Sequence, residues 1–551
     1  MIKLRRLLCA FALLLPALAF AQLGNDLIIP PSDGSTFLNE QIEADAARPA
    51  DRVYVLQRNG IYLMNGRINN NGWVLRIRAE DGTTQRPVIY LVANSAGTFP
   101  PHFFLMGEDL WLKNLIMVGF IEAQAGQIAN NPPRLIDAGG AGFDLTIDGC
   151  IVTQGRGEHI RFPNAARVVK LLNTVFANMG DLGTSNLGAG RCIDMRNTSC
   201  DSLIIVNNTF VNSQDRIVRH LSSVAAIRYF RFDHNTIVNG MTYHGLISLG
   251  WLGTDAIISN NLFIDTHIAG ADTDAVRQVE FAESGEVDPR NGRGRISWIL
   301  SVPNDSTQWR VAGNYYSVSP GVQSFFDAHA AEGVLGEGPA VTHHINGKLG
   351  ADSVTAFTKE SITLGNSPAP MIAMAEWYRS PSGGNKTKNT PACGCWDRNL
   401  HDFDRRPWEY YANTFDCTYP TNTAAYTGAE DGYPAGDLNW YPDLKARWEQ
   451  GLPVSVNSNP RATVRDYQLK QNYPNPFNPS TGIEFALPQA GAVKLEIYNA
   501  LGHRIATLVN DKLAAGTHSF TWDAKNMPTG LYFYKLEAGS FQQTRKMILM
   551  K

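Results

Sequence analysis

A chain of 551 residues with 44% hydrophobic and 18% charged residues has ordinary globular composition, and it is too long for one compact core. At least two domains are therefore expected. The formal net charge of −3 offers no basic excess to neutralise phosphates, which argues against a nucleic acid partner.

The first element in chain order is an export signal. Lys3, Arg5 and Arg6 precede an apolar run from Leu7 to Phe20, broken only by Pro16 and ending in Ala19-Phe20-Ala21. A basic start, a short apolar stretch and a small-x-small end make a secretory signal peptide. The run falls short of the roughly 20 apolar residues that a spanning helix needs. Cleavage after Ala21 is expected, leaving a mature chain of about −6 with no membrane span. Six cysteines then remain: Cys150, Cys192, Cys200, Cys393, Cys395 and Cys417. In an exported protein, Cys192 with Cys200, and Cys393 or Cys395 with Cys417, could close disulfide loops. Their spacings match neither a zinc site nor a Cys-x-x-Cys redox pair.

From about residue 50 to 320 short β-rich pieces repeat, each reaching an Asn or Gly turn before another apolar pair. The turn residues are Asn114, Gly149, Asn173, Asn208, Asn235, Asn261 and Asn314, mostly 24 to 35 apart. Such a period, with β-branched runs like Leu203-Ile204-Ile205-Val206 and no heptads, predicts a β-solenoid whose coils bury their apolar faces by stacking. Asn tolerates the left-handed backbone of tight corners, and stacked Asn side chains can form ladders.

Aligning the strand before each turn places Asp137, Arg161, Asp194, Arg219 and Ser248 in one outward column, with Arg196 and Leu221 two residues further along. One reading is a ladder of ion pairs that solvates the face and fixes register, each exposed pair contributing little. The other is a groove for an acidic polysaccharide, with Trp251, Tyr243 and His244 nearby to stack on sugar rings or to cover the solenoid.

The opening strands Val53 to Leu56, Ile61 to Leu63, Val74 to Ile77 and Val88 to Tyr90 resemble those of bacterial right-handed parallel β-helix proteins similar to chondroitinase B and alginate lyases. Gly155-Arg156-Gly157-Glu158-His159-Ile160-Arg161 resembles a Gly-Gly-Glu-x-Ile-Arg stretch of those lyases. Ile193-Asp194-Met195-Arg196-Asn197 falls near their Ile-Ser-x-Lys-Ser stretch, so Arg196 stands where their catalytic Lys is expected. The resemblance implies a polysaccharide lyase-like activity. Arg161, Arg196 and Arg219 are then the catalytic candidates, and Asp137, Glu158 or Asp194 could hold calcium. The paired acids of the lyases' calcium site are not evident here. A glycoside hydrolase on this fold would need Asn-Thr-Asp and Asp-Asp motifs, which do not occur. A non-catalytic surface or adhesion protein remains the other alternative.

Residues 321–442 are rich in Gly, Pro, Asn and aromatics. They are expected to cover the solenoid, with a helix near Met371 to Tyr378. The stretch Asp431 to Trp440 resembles a phrase near the end of exported β-helix proteins. Its acids fit turn chemistry better than a calcium loop. Residues 443–464 form a linker.

The last module, 465–551, has ten cations against six acids, which leaves the solenoid portion near −10. Strands from Gly482, Val493, Arg504, Thr517 and Leu531, with turns at Gly502, Gly516 and Gly530, predict a small β-sandwich. Asn472-Tyr473-Pro474-Asn475-Pro476-Phe477-Asn478-Pro479, Ile497 to Gly502, Gly530 to Tyr534 and the ending Lys546 to Lys551 resemble the type A sorting domain of the type IX secretion system. The resemblance implies passage through the outer membrane by that machinery, then release or surface attachment.

Overall fold

The computed structural model describes residues 22–550 except 24, 120, 122–131, 181–189, 273–277, 279–285, 289–292, 296, 331–333, 336–339, 384–414, 455–466, 473–474, 514–515 and 540. The expected signal peptide, Cys393 and Cys395 lie outside the described residues. Among the described residues no helix is long and apolar enough to cross a membrane. The chain forms two compact units, Met1–Val454 and Ser455–Lys551.

The first unit is a parallel β-helix. One coil runs through the strands Phe143–Asp148, Ile151–Thr153 and Glu158–Arg161, and the next through Ala166–Leu172, Val175–Met179 and Arg191–Arg196. Corresponding strands pair in parallel register from coil to coil. Among the described residues this stacking builds three sheets of eleven, ten and eight strands. The solenoid begins before residue 50, where Asp26–Ile29 pairs with Val53–Leu56. Its ten-stranded sheet runs past residue 320, ending where Phe357–Lys359 pairs with the strand Asn314–Ser317.

The core follows from register. Ile136, Ile160, Ile193, Val218, Ile247 and Ile299 lie above one another in the eight-stranded sheet. All are buried in one apolar cluster running the length of the solenoid, where each such side chain contributes about 1.5–3 kcal/mol. Phe176 stacks on Phe210, and Phe210 on Phe232, at centroid distances of 5.3 and 6.1 Å. At one end Leu38 and Ile42, from the helix Leu38–Glu43, join this core.

Asparagine does two jobs at the corners. Asn114, Gly149 and Asn173 take the left-handed backbone as expected. Further along, that conformation belongs to Asn207, His234, Asn260 and Gly313, one residue earlier than expected. The following residues Asn208, Asn235, Asn261 and Asn314 point inward and form a buried ladder. Each Nδ2 donates to the next Oδ1, at 3.0, 3.1 and 2.9 Å. The same oxygens also accept backbone N–H groups, at 3.0 Å from Asn208 and 2.8 Å from Asn235. Thr174 extends the column through its own N–H, which donates to the Asn208 Oδ1 at 3.0 Å. A second ladder, which the sequence reading missed, links Asn239, Asn212 and Asn178 at 3.2 and 3.0 Å.

The expected Cys192–Cys200 disulfide does not form. Both are buried free thiols on different sheets, and Cys150 and Cys417 are free and buried too. Residues 415–454 pack their aromatics on Ala177, Val211, Val238 and Leu262 of the ten-stranded sheet. The predicted helix is present as Ile372–Arg379, and Tyr378 packs across Tyr243.

The second unit holds antiparallel sheets of three and four strands among the described residues. Its own core includes Phe485, Leu495, Ile497, Trp522, Tyr534 and Leu549. The expected strands are present, and Phe541–Leu549 adds a further one beside Gly530–Ala538.

Candidate functional site

The predicted residues do align in one register column, although Asp194 and Ser248 within it are buried. Asp137, Arg161, Asp194, Arg219 and Ser248 are direct register partners on successive strands of the eight-stranded sheet. Neighbouring coils are about 4.8 Å apart, so the two arginines stand about 9.6 Å from each other along the axis. A bulge after Asp194 pairs Arg196 with His220 rather than Leu221. Arg196 has a positive φ of 43°, and its side chain is about half exposed.

Asp194 is the hub of this column. Its carboxylate is fully buried and receives Arg196 Nε at 3.3 Å, Arg219 Nη1 at 3.4 Å and Arg191 Nη1 at 3.8 Å. Arg191 also reaches Glu158 at 3.3 Å and Asp215 at 3.4 Å. Asp215 sits in the corner leading into this sheet, beside the buried Arg216, and is fully buried itself. Its Oδ1 accepts both the backbone N–H of His244, at 3.0 Å, and the ring Nδ1–H, at 2.9 Å. Arg191, Asp215 and Arg216 were not predicted. They lie one or two residues before the aligned strand triplets, so a wider alignment window would have included them.

Burial and charge set the protonation states. Burial drives the Asp215 carboxyl upward, but His244, Arg216 and Arg191 together hold it well below the usual range. Burial, and then the neighbouring Asp194, raise the Glu158 carboxyl. Burial lowers the Arg216 guanidinium to about 10 and also lowers that of Arg219. Arg216 Nη1, Arg219 Nε and Ser248 Oγ are buried polar atoms with no hydrogen-bond partner among the described residues. Arg161 makes no ion pair there and stays partly exposed.

Other candidates are placed differently. Tyr243 is fully buried against Met241, Ile268, Phe325 and Tyr378. His244 is buried on Asp215, so these two rings do not form an open sugar platform, whereas Trp251 is half-buried at the next corner. Of the three calcium candidates, Asp137 is held by Arg134 at 2.6 Å, and Glu158 and Asp194 by the arginines above. No group of three potential metal-ligating side chains stands together among the described residues.

The phrase Asp431 to Trp440 has a structural role. Gly436 N–H donates to Asn260 O at 2.7 Å, and Asn439 Nδ2 to Asn207 O at 2.8 Å. Asp437 accepts the Thr209 hydroxyl at 2.7 Å and caps the turn that follows through Asn439 N–H at 2.9 Å. The outward corners left by the asparagine ladder are therefore its docking site.

No curated protein matches the chain. Residues 471–550, within the separate antiparallel unit, match the secretion system C-terminal sorting domain. The protein carries a type IX sorting domain behind a parallel β-helix, and it is exported to be released or held at the cell surface.

Proposed function

We propose that the eight-stranded face of the β-helix binds an acidic polysaccharide outside the cell. The observation that supports this reading is charge imbalance. Four guanidinium groups (Arg191, Arg196, Arg216 and Arg219) pair with three carboxylates (Glu158, Asp194 and Asp215), Arg161 stands beside Asp194 in register, and burial with the neighbouring Asp194 raises the Glu158 carboxyl. Arg216 Nη1 and Arg219 Nε, buried and without a hydrogen-bond partner among the described residues, favour an anionic acceptor, because their desolvation is otherwise uncompensated. Arginine suits carboxylates in particular, since its planar fork can meet both oxygens. Export by the type IX route brings this face to extracellular glycans.

The test is affinity electrophoresis of the mature protein through gels containing chondroitin, alginate, pectate or neutral dextran. Acidic glycans should retard the protein, dextran should not, and Arg161→Ala should weaken the retardation. Equal behaviour in dextran, or no retardation in any acidic glycan, would rule the reading out. Runs with and without calcium separate a bridging cation from direct guanidinium contact.

A further inference from the structure

The charged column alternates along the axis. Asp137, Arg161, Asp194 and Arg219 place carboxylate and guanidinium groups in turn on successive coils, and Ser248 then stands where a third acid would continue the pattern. The register partner after Ser248 is Leu300, so the alternation ends there. Arg219 therefore has an acid on one side only. Asp194 lies 3.4 Å from its Nη1, whereas the neighbouring coil on the other side, about 4.8 Å away, presents a serine. We infer that Arg216, Arg219 and Ser248 hold a small monovalent inorganic anion, of halide size, at this end of the column. The anion sits on the deepest donors of the face, and the inference does not depend on glycan binding.

The donors are in place. Arg219 Nε, Ser248 Oγ, and Nε and Nη1 of Arg216 are buried, with no hydrogen-bond partner among the described residues. Arg216 leads into the strand Val218–His220 that carries Arg219. Its side chain is 5% exposed, and its 3.7 Å contact with Asp215 is too long for a hydrogen bond. Ser248 is 1% exposed. Burial lowers the Arg216 guanidinium to about 10, with repulsion from Arg191 and Arg219 adding to the effect, so it remains a cation at neutral pH.

Charge selects the occupant. Arg191, Arg216 and Arg219 are each less than a fifth exposed, and they share this region with the fully buried Asp194 and Asp215. Glu158 is the third carboxylate, and burial followed by repulsion from Asp194 raises it toward its neutral form. Asp194 Oδ1 and Asp215 Oδ2 are buried acceptors without a hydrogen-bond partner there as well, which makes ordered water the competing occupant. Water is neutral and leaves the excess of cations standing, whereas one monovalent anion offsets it. A halide is spherical, so it accepts from donors that converge from three side chains without a geometry of its own to satisfy. The depth of Arg216 and Ser248 keeps out a carboxylate that belongs to a polymer. Bound there, the anion ties the corner at Arg216 to two successive strands and stabilises the folded state by mass action.

The experiment is thermal melting of the full mature chain in sodium chloride, sodium bromide and sodium gluconate at equal ionic strength, joined to anomalous diffraction from crystals soaked in sodium bromide. Ser248→Asp supplies the third acid of the alternation from the chain itself, and comparing it with the wild type cancels general salt effects. The wild type should melt higher in both halides than in gluconate, with a rise that levels off as the site fills. Ser248→Asp should melt higher than the wild type in gluconate and gain nothing further from halide. Should that variant not fold, Ser248→Ala removes one donor and should need several-fold more halide for the same rise. Bromide should appear between Arg219 and Ser248. Equal halide responses in the wild type and the folded variant overturn the inference, as does ordered water at that position in place of bromide. A bromide peak without the saturable rise also overturns it, as an adventitious ion only. Failure of glycan retardation would count against the glycan reading alone.

Discussion

Arg161 and Arg191 both belong to the proposed glycan-binding face but should respond differently to removal. Arg161 makes no ion pair among the described residues, so Arg161→Ala should change stability by less than about 0.5 kcal/mol while weakening glycan retardation. Arg191 neutralises Glu158, Asp194 and Asp215 at once. Arg191→Ala strands buried carboxylates, and about 3–5 kcal/mol of destabilisation is expected in urea unfolding. Equal effects of the two substitutions would contradict this division of labour. Asp437 gives a pH signature. Burial raises its carboxyl from 3.8 to about 7, so the folded protein holds that proton more tightly than the unfolded chain. Its stabilising contribution is complete below 3.8, declines as pH rises, and is lost above about 7. Asp437→Asn keeps a neutral side chain in place. The melting temperature of the variant should therefore fall less than that of the wild type between those limits, and parallel curves would refute the assignment.

At the scale of an element, the buried asparagine ladder holds the stacked corners in register. Asn235 accepts from Asn208 N and Nδ2, and donates to Ile205 O and Asn261 Oδ1. Asn235→Ala leaves buried donors and acceptors unmatched, at about 1–3 kcal/mol for each group orphaned. Asn173 occupies a partly exposed corner, where Asn173→Ala should cost only about 1–2 kcal/mol for the left-handed backbone. Urea midpoints should separate the two variants clearly. The turn positions were legible in the sequence because Asn and Gly mark corners. Which of two adjacent residues turns outward was not legible, since Asn207-Asn208 and Asn260-Asn261 offer the same side chain for both tasks. The misplaced disulfide has a similar origin. Cys192 and Cys200 are close in the chain, but the corner between them sends them to different sheets.

At the scale of the molecule, the two units have separate apolar cores. A chain ending at Val454 should therefore keep the melting transition of the solenoid. It should also fail to reach the medium or cell surface when expressed in a type IX-competent host, which fractionation and immunoblotting would show. Loss of the solenoid transition on truncation would mean that its stability depends on the sorting domain. Glycan retardation should decline as ionic strength rises, because the accessible arginines act on a solvated polyanion that salt screens. Salt-independent retardation would point to apolar contacts instead.

The sequence by itself determined the export route, the β-solenoid and the order of the charged column. Those features are written in local motifs and in a period that stacking converts directly into register. It also pointed to ladder-forming asparagines before any contact was known. Only the tertiary structure decided which charges meet. Arg191, Asp215 and His244 come from three different coils, and their distances depend on how each corner turns into the next strand. The same packing moved Tyr243 from a proposed sugar platform into a buried contact with Tyr378, because a helix 130 residues downstream covers it. Periodicity specifies which residues share a face; burial and the corner geometry specify which of them can act.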